Sequence, residues 1–152
     1  MSLKFLTPKN ALEFFAPDEN QSLDIVLAQT GISAGFPSPA DDFRDNKISL
    51  DKVLVKNKES TFYAKVSGQS MVGAGLDDGD LLVVDKSLDP QHNSIAVCFI
   101  DGEFTVKRLQ VSKQGVFLMP ANPAYEPIQV TEDNNFQIWG IVTHVIKKII
   151  PY

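Results

Sequence analysis

A serine in a glycine-rich segment is the first residue of the chain that could act as a nucleophile. The segment reads Val66-Ser-Gly-Gln-Ser-Met-Val-Gly-Ala-Gly75, and Ser70 follows an apparent strand and precedes two glycines. A serine held on a turn after a strand projects its hydroxyl and leaves nearby backbone N–H groups free to bind an oxyanion. The pattern is also typical of a plain connecting loop, and it matches neither the Gly-x-Ser-x-Gly elbow nor the Ser-x-x-Lys motif.

A nucleophilic serine needs a base, and the candidate in this chain is a lysine. Lys107 lies in Glu103-Phe-Thr-Val-Lys-Arg-Leu109, 37 residues after the serine. An ordinary lysine has a pKa near 10.4 and is neutral in about one molecule in 2,500 at pH 7, so base chemistry requires burial that lowers the pKa. Alternation places Lys107 with Thr105, opposite Phe104 and Val106, which favours an exposed strand lysine. A Ser-Lys pair therefore demands a burial that the alternation does not predict.

The other reactive side chains favour structural roles. His92 and His144 are the only histidines, and with one cysteine they form no zinc site unless carboxylates are recruited. The acidic segment 77–80 lacks the spacing and closing glutamate of a calcium loop, so it predicts a tight turn before a strand. Cys98 lies in an apolar run, where a thiol usually packs inertly. No phosphate-binding glycine motif occurs, and we expect neither a metal nor a cofactor.

Composition indicates one globular domain, or one domain with an arm. The chain has 152 residues, 43% of them hydrophobic and 22% charged, and a domain of this length buries a core without disulfides. Its net charge of −5 disfavours direct, sequence-specific DNA binding, because phosphate contacts need clustered cations. No apolar run is long enough to span a bilayer and the first ten residues do not resemble a signal peptide, so we expect a cytoplasmic protein without membrane contact.

The elements that must position these residues are short strands. Apolar alternation and β-branched residues predict strands over 61–67, 81–85, 94–100, 103–110, 116–119, 127–131 and 136–149. Asp101-Gly102, between two alternating runs, is the strongest local hairpin signal. A short helix capped by Ser49 and ending near Lys56 is predicted before these strands. Strands at this spacing indicate a mostly β domain of the barrel or sandwich kind.

The chain changes character near residue 47. Before that point, residues 1–30 mix short apolar groups with prolines and acidic residues. Residues 31–42 are punctuated by glycine, serine and proline, and residues before proline favour extended backbone. This stretch is therefore predicted to be a linker that lies open to solvent or to a groove.

Five segments, in order and spacing, resemble the LexA/UmuD family of self-cleaving serine proteases. They read AGFPSPADD (34–42), VSGQSMVGAGLDDGD (66–80), DGEFTVKRL (101–109), NPAYEP (122–127) and IWGIV (138–142). Within that family the chain is most similar to the UmuD-type accessory subunits of error-prone DNA polymerases. The resemblance implies a mostly β, LexA/signal-peptidase-like domain with an extended N-terminal arm.

Carried over position by position, the resemblance assigns each part of a Ser-Lys protease. It makes Ser70 the nucleophile, Lys107 the general base, and the backbone N–H groups of Gln69 and Ser70 the oxyanion donors. The Ala34-Gly35 peptide bond becomes the scissile bond, and the small residues on both sides let an extended segment approach the serine closely. The implied organisation is an arm over 1–34 that self-cleavage removes, a linker over 35–47 and a β-rich peptidase domain over 48–152.

The resemblance also implies regulation and partners. In the family, self-cleavage is slow until a RecA filament on single-stranded DNA, formed after DNA damage, favours the reactive conformation. A homodimer is implied, as is a processed chain that joins a UmuC-type DNA polymerase for translesion synthesis.

Two alternative functions stay open at the level of sequence. A LexA or phage-type transcriptional repressor, inactivated by the same cleavage, would need a DNA-binding head of roughly 60 to 70 residues, whereas 34 residues of acidic composition precede this bond. The third hypothesis is a non-catalytic β domain that binds a partner, in which Ser70 and Lys107 are incidental.

Overall fold

The computed structural model describes residues 12–18, 24–26 and 47–150. These residues fall into two compact units, of which the larger contains 12–17 and 57–150 and the smaller contains 18, 24–26 and 47–56. The predicted scissile bond, Ala34-Gly35, and residues 35–46 of the predicted linker lie outside the described residues. The domain boundaries inferred from the sequence therefore stay predictions.

Antiparallel strands are the main regular elements of both units. The strands are β1 (Glu13–Phe15), β2 (Asp24–Val26), β3 (Lys47–Ser49), β4 (Thr61–Lys65), β5 (Leu81–Asp85), β6 (Ile95–Ile100), β7 (Glu103–Ser112), β8 (Gly115–Met119), β9 (Ile128–Val130) and β10 (Phe136–Ile146). Helix α1 spans Leu50–Leu54, and single 3₁₀ turns cover Lys58–Ser60 and Val72–Ala74. Among the described helices, none has the length and apolar character needed to cross a membrane. The predicted mostly β fold class is confirmed.

The larger unit is one eight-stranded sheet in the order β1-β4-β5-β10-β6-β7-β8-β9. All seven predicted strands are present, and their ends differ from the prediction by at most three residues. The β6–β7 hairpin turns on Asp101 and Gly102, whose φ angles of 49° and 88° are both positive, as a two-residue type I′ turn requires. Since Ile100 pairs with Glu103 across that turn, the predicted hairpin is confirmed.

Two apolar clusters cover opposite faces of strand β7. Phe104 and Val106 belong to the first cluster, and Leu109 belongs to the second. Lys107 shares the face of Leu109, because side chains alternate along a strand, and it is only 7% exposed. The prediction of an exposed lysine is wrong because it assumed that one face of the strand is exposed to solvent. Apolar side chains cover both faces of β7.

Strand β1 was not predicted, because three residues are too few to show alternation. It pairs with β4 through the antiparallel register Glu13↔Lys65, Phe14↔Ala64 and Phe15↔Tyr63. The ring of Phe14 packs among aromatic side chains, with its centroid 5.7 Å from that of Trp139 and 4.9 Å from that of Phe104. Part of the predicted N-terminal arm thus forms an edge strand of the main sheet.

The smaller unit combines a strand pair with helix α1. Strands β2 and β3 are antiparallel, with Ile25 opposite Ile48. Ser49 occupies the N-cap position of α1, as predicted, but it makes no capping hydrogen bond to the helix backbone. Its hydroxyl donates to the carboxylate of Asp51 instead, so the predicted capping bond is wrong while the position is right.

Candidate active site

Ser70 lies on a turn that begins directly after β4. Gly68, in that turn, has a φ of +92°, a left-handed conformation that glycine adopts without steric cost. Its N–H donates to Asp78 Oδ1 at 2.8 Å. The sequence therefore needs glycine here to bend the chain, and the bend brings Ser70 out of the sheet.

A second loop, residues 121–122, clamps the serine turn through hydrogen bonds. The N–H of Ala121 donates to the carbonyl of Ser70 at 2.8 Å, and Asn122 Nδ2 donates to the carbonyl of Gln69 at 2.9 Å. Gly73 donates to the carbonyl of Ala121 at 2.7 Å, and a Cβ at this glycine would lie 2.5 Å from the same oxygen. Only glycine permits this approach, so residues 121–122 and Gly73 together set the position of Ser70.

The side chains of Ser70 and Lys107 meet. Lys107 Nζ lies 2.8 Å from Ser70 Oγ, 2.7 Å from Thr105 Oγ1 and 3.1 Å from the carbonyl oxygen of Val106. Burial lowers the pKa of Lys107 below its ordinary value, and the neighbouring Cys98 thiol opposes this to a smaller degree. Desolvation has this effect because it penalises the charged ammonium and spares the neutral amine.

The three contacts of Lys107 can be made by either protonation state of its amine. The neutral amine has two N–H donors and one lone pair, whereas the ammonium has three donors. The ammonium donates to all three oxygens. Once it loses a proton, two N–H groups suffice for Thr105 Oγ1 and the Val106 carbonyl, and the lone pair can accept the hydroxyl proton of Ser70. Thr105 is a site residue that the sequence reasoning missed, although its position two residues before Lys107 on the same strand places both on one face.

The two N–H groups predicted as oxyanion donors lie on the turn itself. Across the described residues, the N–H groups of Gln69 and Ser70 donate to no other group, while both carbonyls are occupied by the clamp. Free N–H groups beside a nucleophilic hydroxyl are what an oxyanion hole requires. Their role as oxyanion donors stays a prediction.

A small cavity opens beside Ser70. Its volume is about 40 Å³, and its lining includes Ser70, Thr105 and apolar residues from three separate stretches of the chain. The apolar residues are Leu12, Val66, Met71, Leu76, Phe104 and Val106. The cavity therefore offers a small space with both polar and apolar walls next to the hydroxyl.

The remaining candidates hold the structure together. The N–H of Asp80 donates to the carbonyl of Asp77 at 3.0 Å, and Lys147 bridges both carboxylates, which confirms the predicted acidic turn. The hydrogen bonds to these carboxylates raise the pKa of Lys147.

Burial raises the pKa of Cys98 to about 12, so its thiol stays protonated at neutral pH. Within the described part of the chain, no group of three His, Cys, Asp or Glu side chains could hold a metal ion.

Comparison with known proteins places the chain among peptidases. The Peptidase S24-like family model matches residues 26–143, a range that includes Ser70, Lys107 and the predicted scissile bond. The chain belongs to the peptidase S24 family. This confirms the resemblance to the LexA/UmuD family.

Individual peptidase S24 relatives agree with this assignment. Protein ImpA of Salmonella typhimurium is 42% identical over 121 residues, which cover 76% of this chain and 78% of the relative. Protein MucA of Escherichia coli is 44% identical over 114 residues, covering 74% and 77%. The LexA repressor of Syntrophotalea carbinolica is 39% identical over 127 residues, covering 84% of this chain and 61% of the repressor. The chain is thus a member of a serine peptidase family whose members include SOS-type self-cleaving proteins.

Proposed function

We propose that this chain is a serine endopeptidase of the SOS response that cuts its own Ala34-Gly35 bond. The observation that carries the proposal is the 2.8 Å contact between Lys107 Nζ and Ser70 Oγ, made by a lysine whose burial lowers its pKa. A lysine in such surroundings has a physical reason to be neutral and a hydroxyl within reach of its lone pair. Membership of the peptidase S24 family supports the same chemistry.

The proposed reaction is an acyl transfer in two halves. Lys107 takes the hydroxyl proton of Ser70 as Oγ attacks the carbonyl carbon of Ala34, and the N–H groups of Gln69 and Ser70 bind the resulting oxyanion. Lys107 then returns the proton to the amide nitrogen of Gly35, which leaves as an amine. A water molecule, deprotonated by Lys107, attacks the ester carbon. As the ester bond breaks, Lys107 gives that proton to Ser70 Oγ, and the segment 1–34 leaves with a carboxylate end.

Regulation and partners complete the proposal. A RecA filament on single-stranded DNA stimulates the cleavage by shifting the chain toward the conformation in which the scissile bond reaches Ser70. The processed chain acts in the cytoplasm as a homodimeric subunit of a UmuC-type translesion DNA polymerase. The support is the similarity to the UmuD-type members of the family, together with the high coverage of ImpA and MucA.

Intact mass spectrometry tests the proposal directly. At mildly alkaline pH, where more Lys107 is neutral, the full chain should yield the fragments 1–34 and 35–152, and added RecA filament should accelerate their appearance. Ser70→Ala and Lys107→Met should remain uncut, whereas the matched exposed controls Ser112→Ala and Lys113→Met should be cut like the parent. A parent chain that stays whole under both conditions, or a Ser70→Ala chain that is cut, would overturn the proposal.

The second candidate is a LexA-type repressor inactivated by the same cleavage. The 39% identity to a LexA repressor favours it, and the net charge of −5 weighs against it. A gel-shift titration with duplex DNA distinguishes the two, because only a repressor loses a sequence-specific complex when its arm is cut. If neither cleavage nor DNA binding occurs, the chain is a non-catalytic partner-binding domain.

A further inference from the structure

The proposed scissile bond lies between the two members of each of two strand pairs. Strand β2 precedes Ala34-Gly35 in the chain, and its antiparallel partner β3 follows that bond. Strand β1 also precedes the bond, and its partner β4 follows it. Cleavage at this bond therefore divides the chain into the segments 1–34 and 35–152, but it removes no residue from either strand pair.

Strand β1 is held by side chains as well as by its pairing with β4. Leu12 is 3% exposed and belongs to the first apolar cluster. Phe14 is two residues further on and so lies on the same face of the segment. Its ring packs against three aromatic rings whose centroids are 4.9–5.7 Å away, those of Phe62, Phe104 and Trp139. Since these apolar groups return to water only at a cost in free energy, their packing opposes departure of a cut segment.

The two strand pairs attach the segment 1–34 at two places. Strand β1 belongs to the larger unit and strand β2 to the smaller one, and residues 16–23 join the two strands. A short linker makes the second of two contacts intramolecular, which raises the overall affinity by about 100- to 10,000-fold without any new contact. Both pairs are formed in the uncut chain, so the segment starts with both contacts in place at the moment of cleavage.

We propose that self-cleavage nicks the chain without releasing the segment 1–34, which stays bound to 35–152 as a second, noncovalent chain. The binding surface is the edge of β4 that β1 covers, together with the aromatic rings that surround Phe14. Its occupant is β1 of the cut segment, and the β2–β3 pair adds the second attachment. This inference rests on the proposed cleavage at Ala34-Gly35 and adds that uncovering β4 takes a separate displacement step.

Two nicked forms of the full chain test the retention of the segment. One is the parent after self-cleavage at alkaline pH. The other is a Ser70→Ala chain in which the recognition sequence of a specific endoprotease replaces residues 36–41, so that the added enzyme divides the chain without self-cleavage. In gel filtration at micromolar concentration the two pieces should elute together, and native mass spectrometry should find one N-terminal segment for each C-terminal one.

Trp139 reports on the same contact from within the protein. It is the only tryptophan of the chain, and its ring is stacked on that of Phe14. If β1 stays in place, the emission wavelength after cutting should equal that of the uncut chain. Dissociation of the segment would expose the indole to water and shift the emission to the red.

A matched pair of variants on β1 identifies the contact that holds the segment. Phe14→Ala should weaken the binding of the cut segment at least about tenfold, the effect of burying one large apolar side chain. Phe15 is 43% exposed, so Phe15→Ala should leave retention at the parent value. Phe14→Leu should give an intermediate loss, and it replaces Phe14→Ala if circular dichroism shows that the uncut alanine variant is unfolded.

The outcomes separate this inference from the proposed function. A segment that elutes apart from 35–152 in either nicked form overturns the inference. Equal retention of the parent and the Phe14 variants overturns it as well, because the aromatic contact then does not hold the segment. A parent chain that is never cut, even with RecA filament, overturns the proposed function, while the form cut by the added endoprotease still decides whether the segment stays bound.

Discussion

The substitution Thr105→Val separates the protonation of Lys107 from its positioning. Thr105 Oγ1 accepts a hydrogen bond from Lys107 Nζ at 2.7 Å, and valine has nearly the same shape without the acceptor. A neutral hydrogen bond contributes about 0.5–1.5 kcal/mol and one to a charged group about 1.5–3 kcal/mol. The substitution therefore destabilises the ammonium more than the amine, by about 1 kcal/mol.

Two opposite effects on the cleavage rate follow from that difference. The amine becomes an ammonium in the transition state, so the limiting rate at high pH should fall about five- to tenfold. The same difference lowers the pKa of Lys107 further, so the neutral form is populated at lower pH. Below the pKa, where the rate rises about tenfold per pH unit, the two effects cancel and the parent and variant rates should coincide.

The assay is the self-cleavage rate by intact mass spectrometry from neutral to strongly alkaline pH. The parent curve should level off below the pKa of an ordinary lysine, and the Thr105→Val curve should level off earlier and lower. Thr105→Ser restores the hydroxyl and should restore both features. A rate loss that is equal at every pH, or a serine variant that fails to rescue, would refute the hydrogen-bond reasoning.

Further predictions concern stability and access. Because burial lowers the pKa of Lys107, the unfolded chain binds more protons between the folded-state pKa and the unfolded value near 10.4. The unfolding free energy of the parent should therefore rise relative to that of Lys107→Met as pH increases through this window, and a constant difference in urea titrations would contradict it. Gly73→Ala places a Cβ against the carbonyl of Ala121 and should slow cleavage at least about tenfold. Gly115 has a φ of +122° and open space around it, so Gly115→Ala should lower the melting temperature without slowing cleavage. The buried Cys98 thiol, with its pKa raised to about 12, should resist an alkylating reagent at neutral pH and react once urea unfolds the chain, and rapid labelling of the folded chain would show the burial to be wrong.

Local signals in the sequence predicted the parts of the fold that depend on local chemistry. The β6–β7 hairpin is one example, because Asp101 and Gly102 tolerate the positive φ angles of its turn. Strand β5 is another, since its continuous apolar run reads as a buried strand with the observed ends. In both cases the residues of the element itself determine its conformation and its ends.

The site depends on contacts that no local pattern reveals. Lys107 is buried because a second apolar cluster covers the face that alternation assigned to solvent. Thr105 matters only because the Lys107 amine bends back toward it, and Leu12 reaches the cavity through a three-residue strand too short to recognise. The residues alone offered Ser70 and Lys107 as a candidate pair but favoured an exposed lysine, whereas the resemblance of five segments to a family favoured the pair.

The clamp on the serine turn has a consequence for the newly made chain. Ser70 is held through carbonyls that bond to Ala121 and Asn122, and its lysine neighbour stands at 107. A nascent polypeptide exposes its arm and Ser70 long before residues 121–122 leave the ribosome. The proposed active site can therefore form only after residues 121–122 have been synthesised, and we expect no self-cleavage before that point.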